Sequence, residues 1–288
     1  MSGRKKTAYL EYEAALCRRN VLRMVRAGGH GHIGGAYSAI DVVTALYFSK
    51  MNIDPAHPDN PDRDRFLLSA GHKCLAQYAV LAERGFFDRE ILDTYGALGS
   101  RIPGHPNMHE LPGIEANTGA LGHGMSLAAG MAMSAKLQKK DYSVYVVTGD
   151  GELPEGSNWE AAFAAAKFGL DNLTVFVDNN GLQISGQVED VMNMEPIDEK
   201  FRACGWAVKT IDGNDMGQIL DTLDELPLEK GKPTMVHMKT VKAKGLSFGE
   251  GKAEYHFWKA SEADLEQAER EADERIQVLK EEMGGERE

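Results

Sequence analysis

Short apolar runs separated by longer amphipathic stretches set the rhythm of this chain. Val144-Tyr145-Val146-Val147 and Val175-Phe176-Val177 are uninterrupted, Phe66-Leu67-Leu68 is a shorter run of the same kind, and 206–211 and 234–238 are further strand candidates. Uninterrupted runs of this length predict strands covered on both faces. Between them lie helical patterns. Leu10, Ala14, Leu22 and Val25 mark a first helix over 7–26, small residues fill a second over 126–137, and another spans 214–226. Ser38 with Asp41 three residues later reads as a helix start, predicting an amphipathic helix over 40–51 after a glycine-rich break at 28–38. Leu265, Ala268, Ala272, Ile276 and Leu279 predict an amphipathic terminal helix that Gly284-Gly285 ends, leaving a frayed tail. Segments 52–65 and 85–117 read as loops, and a loop as long as the second points to function. The alternation predicts an α/β fold, a parallel sheet flanked by helices. Residues 1–258 form its domain and 259–288 the terminal helix and tail.

Composition narrows the class. The 288 residues are 26% charged and 42% hydrophobic, which is ordinary for a soluble globular protein. No apolar run reaches the roughly 18 residues of a membrane span, and 1–16 lack the apolar core of a signal peptide. Cys17, Cys74 and Cys204 are scattered and odd in number, so they read as reduced thiols of a cytoplasmic protein. A net charge of −12 argues against broad nucleic-acid binding. Lys239, Lys242 and Lys244 form the one local basic cluster. It reads either as a solvated loop or as groups that attract a phosphorylated substrate and shape a cofactor mouth.

The candidate chemistry sits at two strand ends. Gly149-Asp150-Gly151 ends one apolar run and Asn179-Asn180 follows the next, with Asp150 and Asn180 30 residues apart (180 − 150). Both then lie beyond the carboxyl ends of neighbouring parallel strands, where open α/β sheets bind ligands. A carboxylate and an amide oxygen suit Mg2+, which commonly also takes phosphate oxygens. The glycines let backbone approach a diphosphate, and the next helix directs its positive end there. An ordinary crossover with a glycine turn and an Asx turn is the plain alternative.

This spacing resembles the magnesium-diphosphate motif of thiamin diphosphate enzymes. Flanking segments narrow the resemblance to transketolase. His32 lies in Gly31-His32-Ile33-Gly34-Gly35, similar to the family's GHPG. His72 closes 62–72, close to RDRFVLSNGH, and His105 lies in 99–106, close to GSRTPGHPE. Residues 111–115 and 118–122 follow where the family has ELPGVE and TGPLGQG. The resemblance covers roughly 20–258, the diphosphate-binding half of a transketolase. It therefore implies a split enzyme, in which a second subunit carries the pyrimidine-binding and C-terminal domains, two copies of each assembling.

The resemblance implies a transferase of carbohydrate metabolism. It moves a two-carbon ketol unit from a ketose phosphate to an aldose phosphate with thiamin diphosphate and Mg2+. Metal donors would be Asp150, Asn180 and the carbonyl of Leu182. Gly149, Asp150, Gly151 and Glu152 would surround the diphosphate, with His72 and His256 beside it. Gly119 and Leu121 would contact the aminopyrimidine, and Glu155 would join a proton-linked network between two active sites. Alone, Glu155 and Glu160 read as exposed carboxylates at a helix start. His32, His72, His105 and His256 would be the catalytic histidines, imidazole being able to donate or accept near neutral pH. His30 takes a serine-like place and His123 replaces a glutamine. Two departures stand out. Ile33-Gly34-Gly35-Ala36-Tyr37 replaces Pro-Gly-Ala-Pro-Leu, which could alter the donor pocket. Tyr255-His256-Phe257 replaces Trp-His-Gly. The glutamate that faces the pyrimidine belongs to the other subunit, so this chain alone is expected to be inactive. Rival readings are the α subunit of a 2-oxo acid dehydrogenase, which shares the motif, and a non-catalytic scaffold subunit.

Overall fold

The computed structural model describes residues 3–285. α1 (Gly3–Gly28) leads through β1 (His30–Gly31) into α2 (Ile33–Ala45) and a wider π turn (Leu46–Lys50). β2 (Arg65–Leu68), α3 (Cys74–Arg84), α4 (Gly124–Gln138), β3 (Val144–Gly149), α5 (Gly156–Lys167) and β4 (Leu173–Asn179) follow. Next come β5 (Leu182–Gln183), β6 (Gly186–Gln187), α6 (Val188–Met192), α7 (Ile197–Ala203) and β7 (Ala207–Asp212). α8 (Met216–Glu225), β8 (Thr234–Lys239), β9 (Trp258–Lys259) and α9 (Glu262–Gly285) complete the described chain.

β2, β3, β4, β8 and β7 form one sheet in that order, each pair of neighbours parallel. Successive strand side chains point to opposite faces, so the apolar runs feed two cores. Phe66, Leu68, Tyr145, Val147, Phe176 and Val236 pack with α1, α2, α3 and α8. Leu67, Val144, Val146, Val175 and Val177 pack with Ala128 and Ala132 of α4, Ala162 of α5 and Phe201 of α7. The small side chains of α4 and α5 bring those helices close to the sheet. α9 lies along α1, burying Leu265, Ala268 and Leu279, and Arg26 pairs with Glu262 and Glu269 at its rim. The tail expected after α9 lies outside the described residues.

The helix start expected at Ser38 is corrected. α2 begins at Ile33 and ends at Ala45, with the π turn taking the place of its expected last turns. Ser38 is in mid-helix, where its hydroxyl donates to Asp178 Oδ2 at 2.6 Å, and Asp41 takes a bidentate pair of hydrogen bonds from Arg18. Every residue of α2 is buried, so the helix has no polar stripe to announce it. Gly34 is required by close approach, since a Cβ there would stand 2.7 Å from the Tyr255 carbonyl oxygen.

Candidate active site

Four segments end at the carboxyl edge of the sheet. Ser69 to His72 follows β2, Asp150 and Gly151 follow β3, Asn180 to Leu182 follows β4, and Thr240 to Lys242 follows β8. Register sets Gly149 beside Asp178 and Asn179 beside Lys239. A cavity of about 340 Å³ opens there, bordered by His32, His72, His105, Gly119, Leu121, Gly149, Asp150, Gly151, Glu152, Asn180, Leu182 and His256. The sequence singled out each of these. A cavity of about 410 Å³ lies against α1 and α9, but its buried charges Arg18 and Asp41 are already paired with each other.

The four histidines come from distant parts of the chain and meet. Ring centroids of His32 lie 5.4 Å from His72, 5.5 Å from His256 and 6.4 Å from His105, and His72 lies 5.1 Å from His256. Burial lowers His32 to about 4, with His105 and His30 adding to the effect. Burial, then Lys73 and His256, lowers His72 to about 2. Burial and Lys242 lower His256 to about 3. At neutral pH these three rings are uncharged and can each accept or donate a proton. Phe257 stands edge-on to His32 at 4.8 Å, adding a phenyl wall beside the cluster. Gly119 has φ +138, and a Cβ there would collide with the His105 ring at 2.6 Å, so glycine is needed for that ring's placement.

The acidic groups have distinct roles in the structure. Glu152 is buried and its carboxylate is fully used, accepting from Ser69 Oγ, from Gly122 N at 2.8 Å and from Gly149 N at 3.2 Å. It ties three loops together. Asp150 is 3% exposed, and among the described residues its side-chain oxygens accept from the amides of Gly151 at 2.8 Å and Gly181 at 2.7 Å. Burial, then the Asp178 carboxylate, pushes it up to about 6. Such a carboxylate is short of positive charge, which fits a cation-binding role. Asn180 Oδ1 accepts from Leu182 N at 3.1 Å, while the Leu182 carbonyl accepts from Lys242 Nζ at 2.8 Å. One carboxylate, one amide and one carbonyl make a hard-oxygen set suited to Mg2+. Among the described residues, no three His, Cys, Asp or Glu side chains group to hold a metal.

Two lysines complete the site: Lys73, which the sequence reading did not single out, and Lys242, which it weighed only within a basic cluster that could shape a cofactor mouth. Lys73, beside the cavity, donates to Asp178 Oδ2 at 2.6 Å with both groups buried. Lys242 borders the cavity from the other side and also lies 3.1 Å from His256 Nδ1. Burial, then Lys73, lowers Lys242 to about 8. The basic cluster is thus divided, because Lys239 pairs with Glu195 and Lys244 with Glu250 at the surface. Asp178, an acidic residue inside an apolar run, was the available signal for a buried cationic partner. Gln183, Ile184 and Ser185 also reach the cavity. Glu155 does not. It stands exposed at the residue before α5 with no side-chain hydrogen bond to the helix, and Glu160 and His123 are exposed too. Of 33–37 only Gly35 borders the cavity, and Ile33 and Tyr37 lie in the core.

Two cationic lysines, amides at glycine turns and an uncompensated carboxylate fit a magnesium diphosphate. Its affinity should be level between about pH 6 and 8. Below about 6 Asp150 would protonate and release a cation held there, and above about 8 Lys242 would lose its charge and any hold on phosphate. Each limb should fall by up to about tenfold per pH unit. Calorimetric titration of inorganic diphosphate with Mg2+ across pH 5–9.5 checks this, and a flat profile would contradict it.

Residues 12–275 match the family profile described as the thiamine diphosphate binding domain of transketolase. One of the subunits of the apulose-4-phosphate transketolase of Phocaeicola vulgatus is 44% identical over 276 residues, covering 96% of this chain and 98% of that protein. The 6-deoxy-6-sulfo-D-fructose transketolase subunit SqwG of a Clostridium species is 41% identical over 264 residues, covering 89% and 96%. The crystal structure of Campylobacter jejuni transketolase superposes with a TM-score of 0.85 at 31% identity. The match covers 92% of this chain and 42% of that one, so the chain spans less than half of the solved enzyme.

Proposed function

Because the chain belongs to the transketolase family through its thiamin diphosphate-binding domain, we propose that it is the diphosphate-binding subunit of a two-chain, thiamin diphosphate-dependent transketolase. The observation that carries this reading is the meeting of four histidines with Asp150 and Asn180 at one cavity. Asp150, Asn180 and the Leu182 carbonyl hold Mg2+, with Lys242 releasing or sharing that carbonyl. The Gly151 and Glu152 amides, His72, His256, Lys73 and Lys242 hold the diphosphate, and Gly119 and Leu121 meet the aminopyrimidine. When bound, thiamin diphosphate supplies the nucleophilic carbon and the electron sink for carbon–carbon cleavage. His32 and His105 face the substrate hydroxyls, and the neutral His32 ring accepts or returns a proton there.

A second chain fits this reading, because of the carboxylates that border the cavity Glu152 is held by Ser69 and the Gly122 and Gly149 amides and Asp150 is kept for the cation. Neither is free to face a pyrimidine ring. The relatives named as subunits share this chain's length, which supports a partner carrying the pyrimidine-binding and C-terminal domains. Two copies of each chain give the simplest closed symmetry. The substrates are a ketose phosphate, or a related sugar such as those in the relatives' names, and an aldose phosphate. No described helix is long and apolar enough to cross a membrane, and we place the enzyme in the cytoplasm.

Product analysis of the reconstituted pair with Mg2+ and thiamin diphosphate tests the reaction class. Ketol transfer between sugar phosphates is expected. Release of carbon dioxide from pyruvate would instead favour a 2-oxo acid dehydrogenase subunit, and failure to bind thiamin diphosphate would favour a scaffold.

A further inference from the structure

The corner that carries Asp150 and Asn180 is open on two sides. Both residues border the active-site cavity, and both also border a second cavity of about 340 Å³ behind it, walled by Asn179, Gln187, Glu195 and Lys239. A partition with open volume on each side gets little support from packing, so hydrogen bonds must hold it. Gly181 N donates to Asp150 Oδ2 and Leu182 N to Asn180 Oδ1, and Thr240 N donates to the Asn179 carbonyl at 3.1 Å.

Asn179, the first residue of the asparagine pair, has no part in the metal set. Its Nδ2 donates to His237 Nε2 at 2.8 Å and to Glu195 Oε1 at 3.0 Å. An amide nitrogen only donates, so His237 Nε2 accepts and the ring proton sits on Nδ1. That Nδ1–H donates to Asp198 Oδ1. Asp198 is held in turn by Thr210 Oγ1 and by Arg202 at 3.7 Å. His237 is 2% exposed. Elsewhere a carboxylate that fixes a histidine tautomer orients metal-binding groups from outside. We propose that Asp198, His237 and Asn179 form a positioning relay that braces the Asp150–Asn180 partition from its rear face. His237 is a positioning residue and touches no reacting atom. The consequence for metal binding rests on the function proposed above, whereas the bracing itself does not.

The test uses the full chain and two substitutions of similar size. His237→Asn keeps an amide near Nδ1 for Asp198 but removes the buried acceptor of Asn179, leaving it only Glu195 at the surface. His237→Gln keeps an acceptor near Nε2. Amide hydrogen exchange at Gly181 and Leu182 should speed up about tenfold in His237→Asn and stay within about twofold of native in His237→Gln. Asn179→Ala, at a half-buried position, should reproduce the first pattern. In the assembled pair, His237→Asn should also raise the Mg2+ needed for half-maximal thiamin diphosphate binding about tenfold. Unchanged protection in His237→Asn, or equal loss in His237→Gln, would overturn the relay. A native pair that binds no thiamin diphosphate would sink the functional reading, and exchange would still decide the relay.

Discussion

Asp150→Asn should remove the stabilisation that Mg2+ and thiamin diphosphate confer, and lower ketol transfer by at least about a thousandfold. Ligand at about 100 times its Kd adds about 2.7 kcal/mol to the folded state. For a chain of this size that is a rise in Tm of roughly 5–10 °C. The native carboxylate is buried, lacks an ion-pair partner and is pushed up to about 6 by that burial. It is costly unless a cation arrives. Asparagine keeps the shape and removes the charge. Without ligand the variant should unfold near the native temperature, because relief of the buried charge offsets one lost amide acceptor. With ligand its Tm should not move, and the fall in rate corresponds to several kcal/mol of lost electrostatic stabilisation. Thermal scans with and without Mg2+ and thiamin diphosphate check both parts. A variant that kept the full shift would remove Asp150 from the metal site.

Lys73→Met should destabilise the fold by about 3–5 kcal/mol, the usual cost of stranding one member of a buried ion pair. Asp178 is fully buried, and its carboxylate depends on the Lys73 ammonium together with the hydroxyls of Ser38 and Thr240. Methionine fills the volume of the lysine stem but leaves the negative charge uncompensated. Adding Asp178→Asn to Lys73→Met should recover most of the loss, since replacing both charges of a buried pair is often nearly neutral. Urea unfolding of the single and double variants measures this. A Lys73→Met protein as stable as the native one would mean that the two hydroxyls and the Asn180 side-chain amide carry Asp178 between them. The pair links fold to function, because the ammonium that neutralises Asp178 also borders the cavity.

The sheet was legible because β3 and β4 are apolar on both faces and need no partner to be recognised. Helix α2 was misread for the same physical reason in reverse. It is buried all round, so periodicity gave way to a false start at Ser38 and Asp41, residues whose polarity serves contacts with Asp178 and Arg18 instead. The stretch through β5, β6, α6 and α7 was left unassigned, because its elements are too short to show a period. At the site, Asp150 and Asn180 could be read from spacing alone. The histidines could not, for His32 and His256 are 224 positions apart (256 − 32) and meet only through the fold. They were found through resemblance. Lys73 and His237 had no local signature and Lys242 only that of a loose basic cluster, because burial turns an ordinary lysine or histidine into part of a site only after the elements pack.

The half-site claim is tested most directly by assaying ketol transfer with Mg2+ and thiamin diphosphate, first for this chain alone and then for the chain mixed with a protein carrying the pyrimidine-binding and C-terminal domains. The account predicts no transfer from the chain alone and transfer that rises with added partner until the two are equimolar. Transfer by the chain alone, at a rate the partner does not change, would contradict it.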